Sequence, residues 1–356
     1  MSINNAISMH KVSNSLDAVF KKRSYTTHAC KDSIQIVTFE THKSVIVFDT
    51  NLSRQVLTSK AFAGFNYFKA GMQQLEDRGE PVQILKNFYD ENILFNEGDD
   101  YPKIKKAFNH YLENFKVELD KLTPRVVRFF QKRQAIVTSP LIFSLLFTRL
   151  CTALLISHLT HIPLKRIYDA LRMRRNVFDS YFNPLRQLAA SNALQYLYAD
   201  SAPPKKEKPE WMKHLLAQAM FTMGVDPIVA SICANITNKH TSGFAENIDR
   251  FCPTSFVTRI CIEQTQLMDI EFHPQDICYL SLVPADLQLE VSACPVNKPK
   301  QSPSLAFGVG KHTCIGKHFS SHLLRLAELV ANTCFKNGFR DESYISADGS
   351  FLSFKD

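Results

Sequence analysis

Two β-branched runs, Ser33 to Phe39 and Lys43 to Phe48, flank Glu40-Thr41-His42 and predict a hairpin near the amino terminus. Beyond it the hydrophobic period changes. From Lys103 to Lys121 the residues Ile104, Phe108, Tyr111, Leu112, Phe115 and Leu119 recur every three or four positions, as on a helix with one buried face. Further helices are expected at Pro140 to Leu159, Leu164 to Phe182 and Leu185 to Tyr198. The most apolar run, Pro140 to Ile156, is interrupted by Arg149 and reads as a buried helix too short to span a bilayer. Ser201 to Pro209, with three Pro and three Lys, is a polar breaker. Trp211 to Asn235 follows as one long apolar helix, and its interior Gly224 and Pro227 predict a bend. Short extended runs come at Phe256 to Glu263 and Ile277 to Val283, then a proline-rich coil from Cys294 to Pro303. The pattern is that of a mainly α protein with a small amino-terminal β-sheet region.

Composition narrows the picture. With 356 residues, 45% hydrophobic and 27 of them Phe, the chain can bury a large core in one or two packed domains. Eleven Gly are few for an all-β or Gly-looped nucleotide-binding protein. The net charge of +8 permits an anionic partner without choosing one. The densest basic cluster, Lys165, Arg166, Arg172, Arg174 and Arg175, reads as a solvated helix face, and no zinc-finger or basic-zipper pattern accompanies it. No nucleic acid and no membrane are expected as partners. Nine Cys without a CxxC pair signal neither a structural zinc site nor a disulfide framework. Met1 to Asn14 is polar and lacks a signal-peptide core, so a cytoplasmic protein is expected.

The chemistry concentrates in Phe307-Gly308-Val309-Gly310-Lys311-His312-Thr313-Cys314-Ile315-Gly316, followed by a helical pattern from Lys317 to Phe335. A thiolate ligand benefits from a helix amino terminus behind it, where free N–H groups and the helix dipole favour negative charge. Gly310 can take backbone angles closed to other residues, and Gly316 leaves room for a flat cofactor. Phe307 would cover the sulfur, and His312 can donate to a carboxylate. The bland alternative is a buried thiol at a helix start. His318 and His322, four apart on the following helix, are read as surface residues, since two ligands make no metal site.

This stretch, FxxGxHxCxG before a helix, resembles the haem-binding signature of cytochrome P-450 enzymes. The resemblance implies a somewhat shortened cytochrome P-450 fold as a single domain over 1–356, β-rich from about residue 30 to 100 and helical from 101 to 356. It implies haem b (iron protoporphyrin IX) with Cys314 as its metal ligand. Arg259, after Pro253, matches the family's propionate-binding arginine, and Tyr101 and Lys105 stand where bacterial members carry a His and an Arg for the same task. Asn51 to Ala61 is similar to the helix after the family's first strands. The aromatics Phe62, Phe65, Tyr67 and Phe68 fall where substrate loops often lie, with core packing as the equal alternative.

Three departures bear on activity. Gly224-Val225-Asp226-Pro227 keeps the glycine and acid of the family's oxygen-activating segment, but proline replaces threonine and brings neither hydroxyl nor N–H. Asp226 is then the candidate catalytic proton relay, against the plain reading of a solvated helix carboxylate, and Ser231 lies one turn on. The family's Glu-x-x-Arg becomes Asn247-Ile248-Asp249-Arg250, with Glu246 four residues from Arg250 and able to meet it. The short interval from Asp226 to Arg250 implies that a helix is missing. The resemblance therefore implies a haem-thiolate oxidoreductase, a monooxygenase or oxidative tailoring or coupling enzyme acting on a small organic molecule in bacterial secondary metabolism. A ferredoxin-type electron donor would face Lys103, Lys106, Lys311 and Lys317. The alternatives are a peroxide-using haem enzyme and a non-catalytic haem-binding or recruitment protein.

Overall fold

The computed structural model describes residues 34–38, 42–66, 68–91, 98–174, 184–200, 202–237, 243–248, 254, 256–282, 304–336 and 338–339. By contact density the chain forms two compact units, each assembled from separate stretches of sequence. Tyr67, Arg175, Asp249, Arg250, Pro253 and the coil from Cys294 to Pro303 lie outside the described residues.

The first unit holds Met1–Phe65 and Thr254–Cys314, with Ser346–Asp356. Its hairpin, β1 (Ile34–Thr38) and β2 (Lys43–Val47), is antiparallel with Thr38 opposite Lys43, as the two β-branched runs predict. Strand β3 (Phe62–Gly64), β4 (Phe256–Cys261) and β7 (Ile277–Ser281) complete a mixed sheet of order β1-β2-β7-β4-β3, in which β2 and β7 run parallel. A separate hairpin joins β5 (Thr265–Leu267) and β6 (Ile270–Phe272). Helix α1 (Thr50–Thr58) starts where Asp49 accepts from Leu52 N–H at 2.7 Å. It buries Leu52, Val56 and Leu57 against β2 and β7. Phe62 packs edge-on to Phe272, so packing is the role of this aromatic.

The second unit, Asn66–Pro253 with Ile315–Ile345, is helical. Its helices are α2 (Phe68–Asp77), α3 (Gln83–Glu91), α4 (Tyr101–Gln131), α5 (Pro140–Thr160), α6 (Leu164–Met173), α7 (Pro184–Leu197), α8 (Trp211–Ala219), α9 (Val225–Thr237) and α10 (Lys317–Cys334). Phe68 is fully buried and stacked on Tyr89, a core position also. Among the described residues between 30 and 100, helix outweighs strand.

Three elements differ from the sequence expectation for identifiable reasons. Helix α4 runs ten residues past Lys121 and through Pro124. Pro124 is exposed, and Phe115, Leu119, Val126 and Phe130 are buried on either side of it, which offsets the lost hydrogen bond of about 3 kcal/mol. Helix α5 reaches Thr160, with Ser139 capping its start and His161 in left-handed conformation at its end. At 21 residues it is long and apolar enough by composition to cross a membrane, as is Trp211–Thr237. More than half of each is buried inside the protein. Helix α6 stops at Met173, because Arg174 turns extended (ψ 139°) and points inward.

Candidate functional site

The Leu305–Cys314 loop closes on itself through main-chain bonds. Gly308 N–H donates to Leu305 O (2.7 Å), Thr313 N–H to Gly310 O (3.2 Å) and Cys314 N–H to Phe307 O (2.8 Å). The Thr313 hydroxyl adds a bond to Gly310 O at 2.8 Å. Gly308 (φ 66°) and Gly310 (φ 76°) are both left-handed, and a Cβ on Gly310 would stand 2.9 Å from Leu57 O. Glycine is required there twice over, by backbone angle and by the close approach of α1. Gly316, by contrast, has an ordinary φ of −74° and caps the start of α10.

Cys314 is exposed at the end of this loop, whereas Cys151, Cys233, Cys261, Cys278 and Cys334 are buried. Burial pushes all five of those thiols up, Cys233 to about 11, which disfavours the thiolate a metal needs. Among the described cysteines, Cys314 is therefore the one presented for ligation. The same unit carries Arg259 in β4, opposite Cys278 and Gly64, half-buried, with its guanidinium donating to Thr258 O at 2.8 Å. His312 precedes Cys314 by two residues and is half-buried. Exposed sulfur, imidazole and guanidinium in one unit form a donor set that fits a haem with its propionates.

In the second unit, Tyr101 and Lys105 lie one turn apart at the start of α4, with the Lys105 ammonium 5.8 Å from the Tyr101 ring centre. The bend expected at Gly224 and Pro227 takes the form of a π-helical turn, Met220–Gly224, between α8 and α9. A Cβ on Gly224 would meet Met220 Cε at 2.8 Å, so the turn is packed tightly. Asp226 sits in the first turn of α9 and is not a solvated carboxylate: Arg174 Nη2 lies 2.7 Å from its Oδ1, and the Arg174 side chain is 2% exposed.

Arg174 thereby leaves the solvated basic face to which its neighbours suggested it belonged. Lys165 and Arg166 behave as expected, pairing at the surface with Asp169 and Asp200. The sequence carried one unused signal for this buried charge, the arginine inside the apolar run of α5. Arg149 is half-buried, and desolvation pushes its guanidinium down, opposed by Tyr168 and Asp226 and reinforced by Arg174 and Arg172.

Asn247 stands in a buried ladder of amides. Asn247 donates to Asn235 Oδ1 at 3.1 Å, Asn235 donates to Ser231 O at 2.8 Å, and all three residues are buried. Glu246 lies 3.4 Å from Arg325 on α10, and its expected partner Arg250 lies outside the described residues. His322 approaches Asp120 at 3.0 Å, and His318 is exposed.

No family model matches the sequence, and no curated protein matches it. Solved structures do. P450BioI, in complex with an acyl carrier protein ligated to hexadec-9Z-enoic acid, aligns with a TM-score of 0.61 at 12% identity, covering 90% of this chain and 92% of that one. P450 RauA, complexed with a biosynthetic intermediate of aurachin RE, gives 0.60 at 14% identity and 92% of each chain. PksS, the cytochrome P450 of the bacillaene polyketide synthase of Bacillus subtilis 168, gives 0.58 at 11% identity, covering 91% and 89%. A fold is shared over nine-tenths of the chain where sequence similarity has faded, and the fold of this chain is that of the cytochrome P450s.

Proposed function

We propose that the protein is a haem-thiolate oxidoreductase, a monooxygenase or oxidative tailoring or coupling enzyme acting on a small organic molecule in bacterial secondary metabolism. The observation that carries this reading is the exposed Cys314 on a loop closed by two left-handed glycines, in a chain of cytochrome P450 fold. RauA and PksS, with their biosynthetic contexts, support the choice of metabolism.

Haem b, when bound, supplies an iron whose thiolate ligand pushes electron density toward O–O cleavage. The chain's own residues do the rest. Cys314 would provide the sulfur and Phe307 would shield it, while Gly310 shapes the loop and Gly316 leaves room for the flat cofactor. His312, Arg259, Tyr101 and Lys105 donate to its two carboxylates. Asp226 holds a proton-relay position at the start of α9, oriented by Arg174, and Pro227 contributes no donor of its own. Electrons arrive from a ferredoxin-type carrier at exposed Lys103, Lys106, Lys311 and Lys317, and the protein works in the cytoplasm.

The decisive experiment is the absorption spectrum of the reduced, carbon-monoxide-bound protein, with Cys314→Ser as control. The reading requires a long-wavelength Soret band that only the cysteine form gives. Equal haem binding without that band in both proteins overturns the ligand assignment. Pro227 favours one second reading, hydrogen peroxide as the oxidant. Turnover with peroxide in the absence of any electron carrier selects it, and haem binding without turnover under either condition leaves a recruitment protein.

A further inference from the structure

One face of α5 carries Ser144, Thr148 and Thr152, each four residues from the next. Ser144 meets the thiol of Cys233 on α9, while Arg149 feels the charge of Asp226. Advancing along α5 therefore means receding along α9, and the two helices run antiparallel. In that register Thr148 falls beside the middle of α9, and Thr152 falls at the level of the π-helical turn, which α5 also contacts.

Hydroxyls in these helices have an easy way to satisfy themselves, donation to the carbonyl four residues back. Ser144, Thr160, Thr222 and Thr237 all use it. Thr148 and Thr152 do not. Their residues are 0% and 1% exposed, and their Oγ1 atoms have no hydrogen-bond partner among the described residues. Two orphaned hydroxyls on one face of one helix are a costly arrangement for a dry core, and internal water is the usual remedy. Arg149, three residues before Thr152, is half-buried beside this face.

We infer that ordered water occupies the α5–α9 interface, bound by the Thr148 and Thr152 hydroxyls, and that it forms a proton path along that interface toward the π-helical turn and Asp226. A threonine hydroxyl and a water each donate and accept, so a proton entering at one end is matched by one leaving at the other, with no oxidant or reductant consumed. The path supplies the mobile donor that proline withholds at position 227. The water site stands on the geometry alone; the relay rests on the haem-thiolate reading.

The test uses the isosteric variants Thr148→Val and Thr152→Val in the full-length protein. Each is expected to lower the melting temperature by roughly 1–3 °C, because a bound water loses a partner. A crystal structure of the unaltered protein is expected to show density within hydrogen-bonding distance of both Oγ1 atoms. A rise in melting temperature on loss of the hydroxyls, or a dry interface, overturns the water site. In haem-loaded protein Thr152→Val should increase the share of reductant lost as peroxide severalfold, and Thr152→Ser should restore it. An unchanged loss overturns the relay. If the protein takes up no haem, the haem-thiolate reading fails, while melting and crystallography still decide the water site.

Discussion

Arg174 Nη2 sits 2.7 Å from Asp226 Oδ1, a contact between the residue that ends α6 and the first turn of α9. The arginine side chain is almost wholly buried and the carboxylate 17% exposed, so each neutralises a charge that water reaches poorly. Arg174→Gln should cost roughly 3 kcal/mol in chemical denaturation, and Asp226→Asn added to it should recover part of that loss. Strictly additive losses would show that the two side chains do not act as a pair. Asp226→Asn by itself should slow product formation and leave haem content unchanged.

Asn247 donates to Asn235 Oδ1 at 3.1 Å, and both side chains are buried. A glutamate introduced at 247 would set a carboxylate against that acceptor oxygen. Asn247→Glu should therefore destabilise by about 1–3 kcal/mol. A variant more stable than the parent in urea melts would mean the amide ladder is dispensable.

Gly310 and Gly79 have nearly the same φ, 76° and 79°, in different surroundings. A Cβ at 79 meets open space, and one at 310 meets Leu57 O. Gly79→Ala should cost about 1 kcal/mol from backbone strain alone. Gly310→Ala should cost more in thermal melts and also diminish the thiolate Soret band. Equal effects at the two positions would deny the contact with α1 any part in shaping the loop.

His214 on α8 lies 3.3 Å from the Tyr198 hydroxyl, and desolvation depresses its pKa below the ordinary 6.5. The unfolded chain then binds a proton more readily than the folded one. Stability contributed by the neutral ring is present above pH 6.5 and is lost as pH falls below it toward the folded value. His214→Phe should flatten that acid-side slope in melting experiments from pH 7 to 5, and an unchanged slope would assign it to another group.

Local pattern and special backbone were legible in the sequence; long-range polar pairing was not. The amino-terminal hairpin, the start of α4, α7 and the bend at Gly224 follow from period and from residues with singular backbone demands. The left-handed Gly310 did too. Arg174 and Asp226 are far apart in the chain, and nothing in a run of basic residues says which one turns inward. The continuation of α4 through Pro124 was not legible either, since burial of the side chains around it is a tertiary fact. Thr148 and Thr152 lie in a run that reads as buried, but nothing in the sequence says that their hydroxyls would find no partner.

The closure of Gly310 onto the last turn of α1 has a bearing on how the molecule is made. Loop and helix are far apart along the sequence, so the sulfur reaches its final setting only after a contact of high sequence separation has formed. Loss of α1 would accordingly free the loop without touching the motif itself.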